Sequence, residues 1–244
     1  MRVLITNDDG IEAAGLLALY KTVLHCFGDD VDIAVVAPDR GRSECGHSVT
    51  TGRTLKIEQV RSGWLSVDGT PVDCVRAALA TLEQEVDFVL SGVNAGANLG
   101  VDLLVSGTFA AAREAAMHGI PAMAVSHYRH PDIPSTWDHV PDWMAATMKE
   151  FREKLETRDP LNQAAKNAML WNVNLPAISP DADMPPIVRC GVDTKPMIRQ
   201  PVLQGKYLRF AADFHARPRE SRQDVDRCFS GNMTISEFSQ PFSM

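Results

Sequence analysis

Two adjacent carboxylates, Asp8 and Asp9, are the residues in this sequence whose type and spacing first suggest chemistry. They follow the apolar run Arg2-Val3-Leu4-Ile5-Thr6 and precede Gly10. Neighbouring carboxylates repel each other, and a cation held between them removes that repulsion. Asn7-Asp8-Asp9-Gly10 is also typical of a turn, because Asn, Asp and Gly are turn residues. The local stretch therefore predicts a metal site or a turn, and by itself it favours neither.

Three further polar segments contain side chains that such a site would need. They are Arg42-Ser43, the loop Ser91-Gly92-Val93-Asn94 with Asn98, and Ser106-Gly107-Thr108. Carboxylates together with neutral Ser and Asn oxygens suit a hard octahedral cation such as Mg²⁺ or Mn²⁺. The last segment opens a helix, and a helix N-terminus binds phosphate readily. A cation beside such a helix indicates phosphoryl transfer or phosphate-ester hydrolysis, for which a metal ion can activate water.

Each segment also has a plainer structural interpretation. Gly92, Gly96 and Gly100 do not match the spacing of a dinucleotide-binding loop, and they can serve tight packing instead. Ser106-Gly107-Thr108 can act as a helix cap alone. The histidines, among them His47, show no metal-ligand spacing, and we interpret them as loop or core residues.

The elements that would position these residues alternate between strand and helix in the first half of the chain. Apolar runs predict buried strands at residues 2–6, 31–37, 87–91 and 121–126, and a hairpin at 54–60 and 64–67. Periodic patterns predict helices after Gly15, after Thr70 and from Ser106 to His118. Strands joined in this way pair in parallel, so their carboxyl ends share one edge of the sheet. The polar segments can therefore converge at that edge.

The second half of the chain has a weaker periodic pattern. We predict a helix carrying Met144, Met148 and Phe151 on one face, and strands at residues 168–175, 186–190 and 207–214. Arg217 to Asp226 is a polar connection that leads to Thr234-Ile235-Ser236. We therefore expect an α/β fold with a Rossmann-like, doubly wound and mostly parallel sheet. In this prediction, residues 1–128 form the catalytic core. Residues 129–244 form a C-terminal α+β extension that completes the domain and is used for oligomerisation.

The whole chain excludes several classes of function. It has 244 residues, 45% of them hydrophobic and 23% charged, as expected of one large α/β domain. Its net charge of −7 argues against sequence-independent binding of a nucleic-acid polymer. The cysteines are odd in number and form no CxxC pair, which favours reduced thiols over a disulfide framework or a zinc site. No apolar run has the length of a membrane helix, and we expect no signal peptide.

Taken in order, the motifs resemble the SurE (survival protein E) nucleotidase family over nearly the whole chain. The residues that carry the resemblance are Asn7-Asp8-Asp9-Gly10 with Gly15, the segments at 37–43, 69–74 and 91–100, Ser106-Gly107-Thr108, and the segments at 119–126, 172–176 and 234–236. The resemblance implies a phosphatase that hydrolyses nucleoside 5′- and 3′-monophosphates with one Mg²⁺ or Mn²⁺ per subunit. Short polyphosphate is sometimes also a substrate in this family.

The resemblance also assigns roles to individual residues. The family's metal ligands carry over to Asp8, Asp9, Ser43 and Asn94, and the two aspartates would also be catalytic. We predict that substrate and its phosphate are bound by Asn7, Asn98, Ser106, Gly107 and Thr108. Family members are cytoplasmic homodimers or homotetramers that exchange their C-terminal part. We therefore expect a nucleotide substrate, and neither a nucleic-acid polymer nor a membrane as a partner.

Three segments depart from the family pattern. The family's APG segment is Ala13-Ala14-Gly15 here, and Glu44 stands where glycine is common. A carboxylate at that position can change the shape of the loop or repel phosphate. Glu237-Phe238 replaces the family's Pro-Leu. This replacement weakens the expectation that the C-terminal part is exchanged between subunits.

Other functions remain open on the sequence. One is a polyphosphatase or another small phosphomonoesterase on the same scaffold, and another is a non-catalytic nucleotide-binding module. No residue is an obvious general base. A covalent aspartyl-phosphate is less favoured because Asp8 and Asp9 are adjacent, and this leaves no spacing for one to attack while the other donates a proton.

Overall fold

The computed structural model describes residues 1–28, 31–43, 45–157 and 169–238. Its strands are β1 (Arg2–Thr6), β2 (Asp32–Pro38), β3 (Ile57–Arg61), β4 (Trp64–Val67), β5 (Phe88–Ala95), β6 (Ala122–His127), β7 (Leu170–Leu175), β8 (Ile187–Arg189), β9 (Gln200–Gln204), β10 (Tyr207–Ala211) and β11 (Met233–Phe238). Its helices are α1 (Ala14–Phe27), α2 (Pro71–Thr81), α3 (Gly107–Met117), α4 (Val140–Glu156) and α5 (Asp224–Phe229), with a 3₁₀ turn at Gly100–Leu104. The departure at Glu44 and the predicted strand start at Ala168 lie outside the described residues.

A nine-stranded sheet of order β3-β4-β2-β1-β5-β6-β7-β11-β8 forms the centre of the molecule. From β4 to β7 every neighbouring pair is parallel, and only the pairs β3–β4 and β7–β11 are antiparallel. The chain moves outward from β1 to β2 in one direction and then resumes at β5 on the other side of β1. This reversal between β1 and β5 is the place where open α/β sheets bind ligands.

Helices cover both faces of the sheet because its central strands are apolar on both faces. In β1, Val3 and Ile5 pack into the core beneath α1 and α4, whereas Leu4 packs into the core beneath α2 and α3. Alternate residues of a strand point to opposite faces, so a continuous apolar run needs cover on both sides. The predicted doubly wound, mostly parallel fold is confirmed.

Two helix starts follow from local sequence chemistry. Thr70 and Asp73 form a capping box at α2, with Pro71 in the first turn, as the sequence predicts. Ser106 caps α3 by accepting a hydrogen bond of 3.0 Å from the backbone N–H of Phe109. The cap fixes the first turn of α3 at the same sheet edge as the loop that follows β1.

The structure corrects several predicted boundaries. β5 does not end at Ser91 but continues to Ala95, with a shift in its pairing to β6 between Ser91 and Asn94. A Cβ on Gly92 would lie 2.2 Å from the carbonyl oxygen of Val125, so this glycine lets the two strands approach each other. Of the two interpretations of Gly92, close packing is therefore the one that applies.

The second half of the chain contributes three strands to the same sheet. β7 pairs with β6, and β11 and β8 extend the sheet beyond it. The predicted strand at 207–214 is shorter, and it pairs with β9, which the sequence does not predict. The polar segment 217–226 contains the start of α5, also not predicted. Among the described residues, no helix combines the length and apolar character that crossing a membrane requires.

Candidate active site

The loop after β1 is a tight turn that presents two carboxylates at the β1–β5 reversal. The Asn7 side chain accepts a hydrogen bond of 3.2 Å from the Gly10 N–H and donates one of 2.9 Å to the Gly10 carbonyl. Gly10 has a φ of +103°, and a Cβ there would lie 2.9 Å from the carbonyl carbon of Arg40. Asn7 is fully buried, so its amide fixes the loop, and its predicted contact with substrate stays a prediction.

Asp8 is buried against the N-terminus of α3. Its side chain accepts a hydrogen bond of 2.6 Å from the Thr108 hydroxyl. A Cβ on Gly107 would lie 2.9 Å from the Asp8 Cβ, so only glycine lets the helix start come this close. The unpaired N–H groups and the dipole of a helix N-terminus favour a negative charge there.

Burial raises the pKa of Asp8 from 3.8 to about 6. The hydrogen bond from Thr108 acts in the opposite direction, and the charge of Asp9 raises the pKa further. The residue is only 5% exposed, so little water reaches the carboxylate. In the metal-free protein the charge on Asp8 is therefore destabilised relative to water, and a bound cation would offset this destabilisation.

Asp9 joins the loop after β1 to the end of β5. It accepts a hydrogen bond of 3.0 Å from the backbone N–H of Ala95. The preceding residue, Asn94, donates its side-chain N–H to the Gly96 carbonyl at 2.8 Å. That contact fixes the amide, and its oxygen has no hydrogen-bond donor among the residues that the structure describes. A fixed amide oxygen of this kind, one residue before the backbone N–H that bonds Asp9, is a suitable hard ligand.

Ser43 lies in the loop that follows β2, and the backbone of this loop is bonded to the site. The Arg42 N–H donates to the Asp8 carbonyl at 2.7 Å, and the Gly46 N–H donates to the Val105 carbonyl at 3.0 Å. Ser43 is exposed between these two contacts. Within the described part of the chain its hydroxyl has no hydrogen-bond partner, so it is available to a ligand.

Asn98 is held in a network of amides. Its N–H donates to the Asn174 side chain at 2.9 Å, and its carbonyl accepts from the side chains of Asn172 and Asn174 at 3.0 and 2.9 Å. Its own amide contacts the Ser126 hydroxyl at 2.8 Å. In this contact Asn98 Nδ2 donates to the Ser126 hydroxyl, which leaves the second N–H of the same amide available to an anion.

The network around Asn98 contains residues whose role the sequence analysis missed. Asn172 and Asn174 are buried on one face of β7, where apolar residues are the rule. Two polar residues at a spacing of two in an otherwise apolar strand were the signal that could have revealed it. Their side chains bond the backbone of Asn98, so β7 supports the loop that carries it.

The predicted phosphate-binding residues of α3 divide into different roles. The Thr108 hydroxyl is committed to Asp8, and the Ser106 hydroxyl caps the helix. Their side chains therefore support the site. What the segment can still offer an anion is the set of backbone N–H groups in the first turn, next to Gly107.

The donor set fits a hard divalent cation, as judged from the chemistry of its oxygens. Two carboxylates, an amide oxygen and a hydroxyl come from two loops and the end of β5, at one sheet edge. Such oxygen sites suit Mg²⁺ or Mn²⁺ and leave positions for water and phosphate. No cluster of three or more His, Cys, Asp and Glu side chains able to hold a metal exists in the described residues. A site here would therefore depend on Ser43 and Asn94 in addition to the two aspartates.

Comparisons with known proteins identify the family of this chain. The family model described as Survival protein SurE matches residues 3–194. A relative from Nostoc sp., named as a candidate 5′-nucleotidase, is 39% identical over 237 residues, covering 97% of this chain and 99% of the relative. The 5′-nucleotidase SurE of Geobacter sulfurreducens is 42% identical over 177 residues, covering 72% of this chain and 62% of that protein. The crystal structure of the SurE protein from Aquifex aeolicus superimposes with a TM-score of 0.77 at 27% identity, covering 98% and 93% of the two chains.

Proposed function

This chain belongs to the SurE family, and from that premise we propose that it is a divalent-metal-dependent phosphatase of nucleoside 5′- and 3′-monophosphates. The curated relatives carry 5′-nucleotidase names, which supports a nucleotidase activity. The observation that carries the proposal is the position of Asp8. A buried carboxylate with a raised pKa, packed on a helix N-terminus beside a second carboxylate, is suited to a cation and a phosphate together.

In this proposal Asp8, Asp9, Ser43 and Asn94 hold one Mg²⁺ or Mn²⁺. The cation supplies charge neutralisation for the phosphate and acidifies a water at neutral pH. The hydrogen bond from Thr108 orients Asp8, and the Ala95 N–H orients Asp9. The backbone N–H groups at the start of α3 and the Asn98 amide bind the phosphate oxygens. Water exclusion around Asp8 strengthens each of these electrostatic contacts.

The test is phosphate release from a panel of nucleoside 5′- and 3′-monophosphates, with Mn²⁺ or Mg²⁺ and with a chelator. We expect release that depends on the metal and that Asp8→Asn reduces by at least about 100-fold. Asp132→Asn changes an exposed loop carboxylate outside the proposed ligand set and serves as the matched control. Inactivity of the wild type on every nucleoside monophosphate would refute the proposal.

Two other outcomes would identify the alternatives. Release from polyphosphate or sugar phosphates, without release from nucleotides, would indicate another phosphomonoesterase on this scaffold. If the protein binds nucleotides and Asp8→Asn leaves phosphate release unchanged, the protein is a non-catalytic binding module. Cytoplasmic location stays a prediction from the family.

We also propose that the protein forms a homodimer or homotetramer through its second half. The hairpin of β9 and β10 supports this, because it exposes large apolar side chains to solvent. Leu203, Tyr207 and Phe210 are 69%, 72% and 61% exposed. Exposed apolar patches of this kind are typical of interfaces. Light scattering after size-exclusion chromatography should give a dimer or tetramer mass, and a monomer mass would contradict the proposal.

A further inference from the structure

A buried carboxylate outside the candidate site connects three segments of the chain. Glu114 lies in α3 and is only 1% exposed. One carboxylate oxygen accepts from Arg76 Nε at 2.5 Å and lies 3.2 Å from His118 Nε2. The other lies 2.8 Å from His47 Nε2. A buried charge needs such partners, since an unpaired one is strongly destabilising.

The tautomer of His47 follows from its two neighbours. Its Nδ1 lies 3.2 Å from Nε of Arg113, which can only donate, so Nδ1 accepts. The proton of the neutral ring is therefore on Nε2, and it is donated to the carboxylate of Glu114. His47 is thus held at both ring nitrogens by consecutive residues of α3.

His47 belongs to the same loop as Ser43. The backbone of the loop is bonded to Asp8 through the Arg42 N–H and to Val105 through the Gly46 N–H. Ser43 lies between those contacts and is exposed. His47 follows Gly46 directly, and its ring fastens this end of the loop to α3. Thr70 also holds the loop, by donating its hydroxyl to the Ser48 carbonyl at 2.7 Å. Among the described residues, the side-chain hydrogen bonds from the loop to α3 are those of the His47 ring.

We propose that the His47–Glu114 hydrogen bond is a clamp that positions Ser43 for the cation. The helix α3 is bonded to Asp8 through Thr108 and to the Ser43 loop through Glu114, so one rigid element fixes two loops relative to each other. The inference rests on the proposed metal site, but it assigns a positioning role to residues outside the ligand set. Outer partners of metal ligands typically change metal affinity about 10–100-fold when they are removed.

The experiment compares variants of His47 with a variant on the other side of Glu114. His47→Leu removes the hydrogen bond. His47→Gln keeps an N–H donor for Glu114 and an oxygen for Arg113. Arg76→Gln removes a partner from the opposite carboxylate oxygen and leaves the loop contact in place. His47→Asn, too short to reach Glu114, replaces His47→Leu if that variant does not fold.

Two measurements on the full chain test the clamp without relying on activity. The first is the dissociation constant of Mn²⁺, from the free-ion signal in electron paramagnetic resonance. We expect it to rise about 10–100-fold in His47→Leu and to stay within about threefold in His47→Gln and Arg76→Gln. The second is hydrogen exchange in the metal-free protein. The amides of Arg42 and Gly46 should exchange faster in His47→Leu alone.

The outcomes separate the clamp from the proposed function. If the wild type binds Mn²⁺ and His47→Leu binds it equally well, the clamp is refuted and the metal site stands. If Arg76→Gln weakens Mn²⁺ binding as much as His47→Leu does, Glu114 acts through general stability and the clamp is again refuted. If the wild type binds no Mn²⁺ at all, the proposed metal site fails, and the clamp fails with it.

Discussion

Replacing Asp8 by asparagine is expected to stabilise the metal-free protein while abolishing phosphatase activity. Burial raises the pKa of Asp8 to about 6, so the folded protein binds a proton there more tightly than the unfolded chain. Stability from this proton is fully present below pH 3.8 and is lost as the pH rises to about 6. The shift corresponds to a loss of about 3 kcal/mol, which is an upper limit for what the neutral amide can restore.

Urea unfolding in a chelator, across the pH range from below 3.8 to well above 6, measures this effect. As the pH rises through this range, the free energy of unfolding of the wild type should fall relative to that of Asp8→Asn. The asparagine oxygen can still accept the Thr108 hydrogen bond, so the variant keeps that contact. Added Mn²⁺ should stabilise the wild type alone, because only the wild type keeps the proposed ligand set.

The matched control is Asp132→Asn, an exposed carboxylate in the loop after β6. As a surface change it should alter the free energy of unfolding by no more than about 0.5 kcal/mol. A variant Asp8→Asn that is less stable than the wild type above pH 6, or a stability difference that does not depend on pH, would refute the reasoning. Either result would mean that the charged form of Asp8 is well accommodated in the absence of metal.

Three further changes test other parts of the structure. Gly107→Ala places a Cβ 2.9 Å from that of Asp8, so kcat/KM should fall about 100-fold. Asp73→Asn should lower the free energy of unfolding by about 2 kcal/mol in urea at neutral pH. Burial raises the pKa of Asp73, but hydrogen bonds from two threonines outweigh it, so the difference should shrink as the pH falls below 3.8. Arg217→Leu removes a fully buried guanidinium from Asp102 and should cost about 3–5 kcal/mol by the same method, with partial recovery on adding Asp102→Asn.

The central sheet could be predicted because its strands carry their own signals. β1 contains the apolar run Val3-Leu4-Ile5, and β5 begins with Phe88-Val89-Leu90. The Thr70 cap with Pro71 marks the start of α2. β9 gave no such signal, since it is exposed along most of its length and contains Pro201. α5 has only six residues and lies in a polar stretch. The position of β11 between β7 and β8 depends on pairing between distant segments, which local patterns do not encode.

The candidate site could be predicted only as a set of loops. Parallel strands place their carboxyl ends at one edge, and this rule is enough to bring Asp8, Ser43 and Asn94 into neighbouring loops. It does not say which side chain bonds to which. Thr108 was predicted to bind phosphate as part of a helix start, and nothing in the sequence indicated that its hydroxyl bonds Asp8. The contact of His47 with Glu114 joins residues 67 positions apart, and nothing in the sequence near either one indicates it.

The helix α3 shows why the buried carboxylate of Asp8 is tolerated at this edge. Alanines line its buried surface, at positions 110, 111, 112, 115 and 116. Small side chains let the helix backbone lie close to the sheet, and close packing resists displacement. The helix therefore holds its N-terminus against Asp8 and its Glu114 against the Ser43 loop at fixed separation. Because both contacts belong to one rigid element, local movement does not relieve the destabilisation that comes from burying Asp8. The carboxylate therefore stays in a position where a bound cation would stabilise it.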